Sequence, residues 1–367
     1  MGDLYIGLIS GTSMDGIDAA LVEFRESSLQ ILQTRDYAYP TELRDRLINA
    51  MQLPEKCTVD EIGELDQRIG ECFRDAAKAL LEDAGVAASA VTAIGSHGQT
   101  LRHQPDAERP FTLQIGDPTL IATGTGITTV ADFRRADLAV GGQGAPLTPI
   151  FHEWLFQQSG SGRTILNIGG IANITILADD RATTGFDTGP GNTLMDAWTR
   201  KHRNKSFDQN GEWAASGSVD SGLLKRLLRD PFFSATPPKS TGFELFNLEW
   251  LEAAGAASID ADDVQATLCA LTAASVSDAI RTFADGTKEI LVCGGGIHNA
   301  ELMRRLGESM PTIGLSSTAT AGLDPDWVEA AAFAWLAMRR LQDLPGNLPS
   351  VTGAQRAVTL GAIHTAS

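Results

Sequence analysis

The chain has 367 residues, of which 43% are hydrophobic and 37 are glycine, and this is enough for one or two globular domains. Its 46 Asp and Glu residues outnumber the 29 Lys and Arg residues, so the formal net charge is −17. Proteins that bind nucleic acid rely on Lys and Arg to neutralise phosphates. The charge therefore argues against nucleic acid as the main partner.

The N-terminus and the cysteines favour a cytoplasmic protein that does not contact a membrane. Residues 1–9 have no basic stretch before their apolar run, and no segment has the roughly 18 apolar residues needed to cross a bilayer. The four cysteines form no C-x-x-C pair, which is typical of reduced thiols.

The first third of the chain alternates between strand and helix patterns. Strand-like runs at 4–9, 19–24 and 29–37 predict a three-stranded antiparallel meander. Thr58 opens a helical pattern over 62–81, which Gly85 ends. Two short buried strands follow, each leading into a polar or glycine-rich loop; they are predicted at 91–94 and 128–131.

Later runs repeat this architecture from about residue 164. They predict strands at 165–168, 171–177 and 290–293, a helix over 262–283, and a helix that Asp324 and Pro325 cap and that runs to about 341. The predicted fold class is therefore α/β with two domains, and the boundary is expected in the connection 141–149.

The loop between the first two strands combines glycines, hydroxyls and carboxylates in the segment Ser10-Gly11-Thr12-Ser13-Met14-Asp15-Gly16-Ile17-Asp18. Its backbone amides can close on phosphate oxygens, while Asp15 and Asp18 can hold Mg²⁺ directly or through water. The alternative is an ordinary hairpin turn. A Walker A loop is excluded, because Ile17 and Asp18 stand where Lys and Ser or Thr are required.

Four further glycine-bearing loops follow strand-like runs, at 141–144, 167–170, 187–192 and 293–299. Any one of them could be only a tight turn, but glycine costs backbone entropy wherever its freedom is not used, so five such loops favour a binding role. All seven lysines lie outside them. A bound polyphosphate would thus meet backbone amides and Mg²⁺, as in actin, hexokinase and Hsp70 rather than in P-loop enzymes.

Together these motifs resemble the anhydro-N-acetylmuramic acid kinase family of the actin-like sugar kinase superfamily. The resemblance covers nearly the whole chain and is carried by residues 7–18, 96–100, 114–117, 131–134, 141–147, 167–173, 187–192 and 293–299. It implies a two-domain actin-like (ribonuclease H-like) ATPase fold with a nucleotide and substrate cleft between the domains. Residues 1–135 with about 340–367 would form the first domain, and residues 136–339 the second.

The resemblance also implies an activity. Such an enzyme uses ATP and Mg²⁺ to open 1,6-anhydro-N-acetylmuramic acid with water and to phosphorylate O6, giving N-acetylmuramic acid 6-phosphate in peptidoglycan recycling. It would be a cytoplasmic homodimer. The ATP-binding residues it implies are Gly11, Thr12, Ser13, Met14, Asp15, Gly16, Ile17, Asp18, Asn167, Gly169, Gly170, Gly294, Gly295, Gly296 and Asn299.

Asp187, in the segment Asp187-Thr188-Gly189-Pro190-Gly191, matches the base that activates water for attack at C1. The alternative is that Asp187 is the N-cap of a helix beginning near Pro190.

Three further residues are expected to bind the sugar. Arg134 would pair with the lactyl carboxylate, Glu329 would bind hydroxyl groups, and His97, predicted in a loop after a strand, would line the cleft. Each has a structural alternative: a surface ion pair for Arg134, a helix-dipole partner for Glu329, and a structural hydrogen bond for His97.

Two other functions fit the same sequence. One is a related kinase for another sugar or for a carboxylate such as acetate. The other is an Hsp70-like or actin-like ATPase whose nucleotide cycle regulates a partner.

Overall fold

A computed structural model describes residues 2–11, 14 and 16–366. The strands are β1 (Asp3–Ser10), β2 (Gly16–Arg25), β3 (Ser28–Ala38), β4 (Val91–Gln104), β5 (Phe111–Ile115), β6 (Thr129–Ala131), β7 (Arg163–Ile168), β8 (Ile171–Leu177), β9 (Thr184–Pro190), β10 (Glu289–Cys293), β11 (Gly314–Ser317) and β12 (Ala362–His364).

The α-helices range from one turn to 26 residues. They are α1 (Thr41–Gln52), α2 (Val59–Ala84), α3 (Pro118–Thr125), α4 (Arg135–Ala139), α5 (Pro149–Phe156), α6 (Thr193–Arg203), α7 (Glu212–Ser216), α8 (Ser221–Leu227), α9 (Pro231–Ser234), α10 (Leu248–Ala253), α11 (Ala261–Phe283), α12 (Ala300–Ser309), α13 (Val328–Leu341) and α14 (Pro349–Thr352). No helix among the described residues is both long and apolar enough to cross a membrane.

The first compact unit comprises residues 1–155 and 327–367 and is built on a seven-stranded sheet. Its strand order is β3-β2-β1-β4-β6-β12, with β5 paired to β4. β1, β2 and β3 form the predicted antiparallel meander, and β4 runs parallel to both β1 and β6. The meander prediction is confirmed.

The second compact unit, residues 156–326, repeats this topology in a five-stranded sheet of order β9-β8-β7-β10-β11. β7, β8 and β9 form an antiparallel meander, while β10 is parallel to both β7 and β11. α11 contributes a continuous row of buried apolar residues to the core on one face of this sheet. The predicted α/β class with a repeated architecture is confirmed.

The first unit includes residues 136–155 and 327–339, which the sequence analysis assigned to the second domain. The reason is close packing of α13 on the first sheet. Gly7 of β1 and Gly95 of β4 are register partners, and a Cβ on either would come within 2.0 Å of the α13 backbone at Ala330 or Phe333. Only glycine permits this approach, so α13 belongs to the first unit.

The helix predicted after Thr58, which has the clearest capping signals in the sequence, is confirmed as α2. The start predicted for the last long helix is wrong. α2 has Thr58 as its N-cap, whose side chain accepts from the Glu61 amide, and Gly85 ends it at a φ of 63°. α13 begins at Val328, three residues after Pro325. Asp324 instead accepts a bond from the Asp326 amide in the preceding turn.

Candidate active site

The first glycine loop is anchored at its base by a buried serine. Ser10 Oγ lies 2.7 Å from both the Gly16 carbonyl oxygen and Gln99 Oε1, and the amide of Met14 donates to the Gly11 carbonyl. Gln99, fully buried in β4, was not among the predicted site residues. The predictions for Thr12, Ser13 and Asp15 lie outside the described residues.

Gly16, Ile17 and Asp18 begin β2 rather than continuing the loop. The Ile17 side chain is fully buried in the core, so only its backbone is available to a nucleotide. Asp18 is half-buried and is paired in register with Ile9 and Asp36. The described residues contain no group of three or more His, Cys, Asp or Glu that could hold a metal ion.

His97 lies inside β4, so its prediction as a loop residue is wrong. The strand continues because Gly98 adopts a φ of 72°, where the pairing of β4 with β1 shifts register. A Cβ on Gly98 would come within 2.5 Å of the Ile115 carbonyl oxygen. His97 is consequently a buried strand residue, packed 4.6 Å from the ring of Phe333.

The structure brings His97 and Arg134 together. Arg134 Nε and Nη2 lie 3.1 and 3.0 Å from His97 Nε2, while His97 Nδ1 lies 3.0 Å from the Gly98 carbonyl oxygen. Since a guanidinium only donates, Nε2 accepts and Nδ1 carries the proton that it gives to Gly98. Burial and the Arg134 charge lower the pKa of His97 to about 3, so the ring is neutral near pH 7.

Glu329 lies in the first turn of α13 and is half-buried. Burial raises the pKa of its carboxyl group, and the positive charge of Arg134 opposes that rise. The three predicted sugar-binding residues of the first unit, His97, Arg134 and Glu329, are therefore close enough to interact electrostatically.

A fully buried carboxylate, which the sequence analysis missed, holds the Gly141–Gly144 loop beside Arg134. Asp137 Oδ2 accepts the Gly144 amide at 2.7 Å, and its Oδ1 accepts Asn347 Nδ2 and Thr352 Oγ1 at 2.6 and 2.7 Å. The Gly144 carbonyl in turn accepts from Arg134 Nη1 at 3.2 Å. Asp137 thus links the C-terminal segment to the predicted carboxylate-binding arginine.

Asp187 lies within β9 and is 9% exposed. Its interpretation as a helix N-cap is wrong, because α6 begins at Thr193 and its cap residue is Asn192. Its Oδ2 accepts the Thr241 amide at 2.9 Å, and its own amide donates to the Lys239 carbonyl at 3.1 Å. A loop from the weakly patterned segment 201–243 therefore positions this carboxylate.

Lys239 brings a buried ammonium group to the same loop. Its Nζ donates to the Phe232 carbonyl at 3.0 Å and lies 4.7 Å from the centre of that ring. Burial lowers the pKa of Lys239, while the charge of Asp187 opposes this shift. Nothing in the sequence around Lys239 indicates that its ammonium group is buried near Asp187.

The Gly169-Gly170 turn joins β7 to β8 and is tied to the start of α6. The Gly169 carbonyl accepts the Asn192 amide, and the Gly170 carbonyl accepts the amides of Gly191 and Thr193. A Cβ on Gly191 would come within 2.4 Å of the Gly169 carbonyl oxygen, so this contact requires glycine. The turn is therefore held in one conformation by its neighbour.

The three glycines after β10 differ in their surroundings. A Cβ on Gly294 would come within 2.4 Å of Asn167 Oδ1, and one on Gly296 within 2.2 Å of Ile168 Cγ2. Gly295 is exposed, with nothing within 4 Å of its Cβ position. Asn299 is buried and uses its side chain to cap α12 by accepting the Leu302 amide.

The neutral ring of the buried His97 makes the free energy of unfolding depend on pH. The pKa of His97 is about 3 in the folded state against an ordinary 6.5, so between these values the unfolded state binds more protons and stability falls as pH falls. One histidine of this kind contributes up to about 1.4 kcal/mol per pH unit to the slope of the free energy of unfolding against pH. His97→Gln should reduce the slope of the unfolding free energy by about this amount between pH 6 and 5, measured in urea. An unchanged slope would contradict the neutral state of His97.

Comparison with known proteins identifies one family. The family model described as anhydro-N-acetylmuramic acid kinase matches residues 3–366. Curated relatives with that name include one from Vibrio cholerae serotype O1, 50% identical over 364 residues, which are 99% of this chain and 98% of the relative. Another, from Coxiella burnetii, is 51% identical over 363 residues, which are 98% of this chain and 97% of the relative.

Solved structures show more distant likeness. A ROK family glucokinase from Streptomyces griseus in complex with glucose and AMPPNP is 16% identical, with a TM-score of 0.40 over 90% of this chain and 99% of the other. The (R)-2-hydroxyglutaryl-CoA dehydratase component A of Acidaminococcus fermentans is 11% identical, with a TM-score of 0.49 over 91% of this chain and 96% of the other. On its full-length match to the family model and on relatives at about half identity, the chain belongs to the anhydro-N-acetylmuramic acid kinase family.

Proposed function

We propose that this chain uses ATP to open 1,6-anhydro-N-acetylmuramic acid and to phosphorylate it at O6, giving N-acetylmuramic acid 6-phosphate for peptidoglycan recycling. The observation that carries the proposal is the placement of Asp187. It is a buried carboxylate on β9, positioned by the Thr241 amide, in the same unit as the glycine turns that follow β7 and β10.

In this proposal Asp187 removes a proton from water as the water attacks C1 of the anhydro sugar. The C1–O6 bond breaks, and O6 takes the γ-phosphoryl group from ATP. The bond from the Thr241 amide fixes the orientation of this carboxylate, as a general base requires. Arg134, with His97 and Glu329, would bind the sugar, and the lactyl carboxylate suits the planar guanidinium.

The nucleotide would lie against the glycine loops, with Mg²⁺ on its phosphates. Hard carboxylate oxygens suit this ion, and Mg²⁺ needs only one or two of them when it keeps water and phosphate ligands. Asp18, half-buried at the start of β2, fits such a role, and Asp15 would be its partner in the loop. Bound Mg²⁺ would neutralise charge on the transferred phosphate. A cytoplasmic homodimer is also part of the proposal, as the family resemblance implies.

The deciding experiment is ATP turnover with and without anhydro-N-acetylmuramic acid, followed by mass analysis of the sugar. The proposal expects turnover that depends on the sugar and one product heavier by one water and one phosphoryl group. Phosphorylation of other sugars or of acetate only would indicate a different kinase, and sugar-independent turnover would indicate a regulatory ATPase.

Gly295→Val should weaken ATP binding without unfolding the protein. The side chain has space, because nothing lies within 4 Å of the Cβ position, but it would project toward a nucleotide that contacts this backbone. Gly307→Val in α12, where the Cβ position is equally open, is the matched control. Normal ATP affinity of the Gly295 variant by calorimetry would place the nucleotide elsewhere.

Arg134→Ala should weaken sugar binding by about 1.5–3 kcal/mol, the range expected when a charge-assisted hydrogen bond to a carboxylate is lost. ATP affinity should change little. An anhydro sugar without the lactyl group serves as the control ligand, and calorimetry compares the two. Equal losses for both sugars would show that Arg134 does not recognise the carboxylate.

A further inference from the structure

Three polar residues form a row across the meander of the second unit. Asn167 of β7 is paired in register with Asn173 of β8, and Asn173 is paired with Asp187 of β9. Register partners on neighbouring strands project from the same face of a sheet, with Cβ atoms about 4.5–5.5 Å apart. The alternate residues of these strands, such as Ile174 and Phe186, face the hydrophobic core on the other side.

Asn173, which the sequence analysis did not assign to the site, has a side-chain amide without structural partners. Its Oδ1 is buried and has no hydrogen-bond partner among the described residues, and no bond joins its Nδ2 to any of them. Asn167 Oδ1 in the same row is likewise buried without a partner among the described residues, whereas two other buried amides of the chain are used. Asn347 donates to Asp137, and Asn299 accepts from the Leu302 amide. Because buried polar groups almost always form hydrogen bonds, the unpartnered amide of Asn173 beside Asp187 requires an explanation.

The position of Asn173 within the row supplies that explanation. Asp187 stands at one end, and Asn167 stands at the other, where its Oδ1 lies against Gly294 of the glycine turn after β10. Neighbouring strands are about 4.8 Å apart, so the row spans about 10 Å from Asp187 to Asn167. A group that moves from a nucleotide at the glycine turns to a substrate at Asp187 passes the strand that carries Asn173.

We propose that Asn173 is a catalytic residue whose Nδ2 donates a hydrogen bond to the γ-phosphoryl group during its transfer. This rests on the proposed function. Water adds to C1 and gives its proton to Asp187. The electron pair of the breaking C1–O6 bond stays on O6, which bonds to the γ-phosphorus, and the bond to the β–γ bridging oxygen breaks with its pair leaving on ADP. Negative charge spreads over the three equatorial oxygens of the phosphoryl group, and a preorganised neutral donor stabilises it.

Asn173→Leu removes the donor and keeps the approximate size of the side chain. We expect kcat to fall by about 10²–10³-fold, as for the loss of one donor to a developing oxyanion, with the dissociation constants of ATP and sugar within about threefold of wild type. The melting temperature should stay level or rise, because no structural hydrogen bond is lost. A purely structural role predicts a lower melting temperature instead.

Asn173→Asp tests whether the side chain of residue 173 acts as a hydrogen-bond donor or as an acceptor. It keeps an oxygen of the same shape, removes the NH₂ group and adds a negative charge, so kcat should equal or fall below that of the leucine variant. Asn173→Ser, which restores a hydroxyl donor, should recover part of the loss. Thr175→Val is the control, because Thr175 lies two residues along on the same face of β8 and should leave kcat within about twofold of wild type.

Near-normal kcat in Asn173→Leu, high activity in Asn173→Asp, or a kcat loss matched by a fall in melting temperature would each overturn the assignment. Failure of the proposed function has a different signature, since the wild-type protein would then form no sugar phosphate at all.

Discussion

Asp187→Asn is expected to abolish ring opening and phosphorylation together while ATP binding survives. General-base catalysis contributes typically about 10²–10⁴-fold, so product formation should fall by at least that range. The two steps should be lost together, because O6 becomes a nucleophile only when water attacks C1, and that attack requires a base.

The structure makes this substitution a specific test of the base. An asparagine at position 187 keeps an oxygen that can accept the Thr241 amide, and the backbone bond from residue 187 to the Lys239 carbonyl does not depend on the side chain. The fold should therefore be preserved. Since α6 is capped at Asn192, loss of activity cannot be ascribed to loss of a helix cap.

Sugar phosphate measured by mass spectrometry, together with the melting temperature and ATP affinity, provides the result. Asp180→Asn is the control, because Asp180 is exposed in the turn between β8 and β9 of the same unit. Near-normal product formation by the Asp187 variant would falsify its assignment as the base.

Local signals made much of the fold predictable. The three antiparallel strands at the start need only alternating hydrophobicity and short turns, and α2 needs only its cap, its periodic apolar face and Gly85. The His97 segment misled the prediction for a physical reason. It combines polar residues with glycine, which is typical of a loop, whereas its neighbours β1 and β6 pair with β4 and bury it.

The site residues that the sequence did not indicate are placed by contacts between distant parts of the chain. Lys239 and Thr241 meet Asp187 through a loop more than 50 residues away, and no periodic pattern leads to that loop. Asn173 is marked only by its register with Asp187 and by its lack of partners, and neither is visible before the strands are paired. The glycine motifs could be recognised, but the separate functions of Gly294, Gly295 and Gly296 required their surroundings.

Asp137→Ala is expected to destabilise the protein by about 3–5 kcal/mol, because it leaves three buried donors without an acceptor. These donors are the Gly144 amide, Asn347 Nδ2 and Thr352 Oγ1, and two of them lie more than 200 residues away in the sequence. Gly142 indicates how closely the loop fits this carboxylate, since a Cβ there would come within 2.1 Å of Asp137 Oδ2.

Urea unfolding measures the loss of global stability, and hydrogen exchange measures the loss of local stability in the loop that contains Gly144. The Gly144 amide should lose its protection in the Asp137 variant, and sugar affinity should fall as the Gly144 carbonyl no longer holds Arg134. Asp180→Ala, at an exposed site, should change stability by less than about 0.5 kcal/mol. The Asp137→Ala variant could instead have the same free energy of unfolding as the wild type and a Gly144 amide that is still protected. The loop would then be held by its other contacts, and Asp137 would have no part in positioning Arg134.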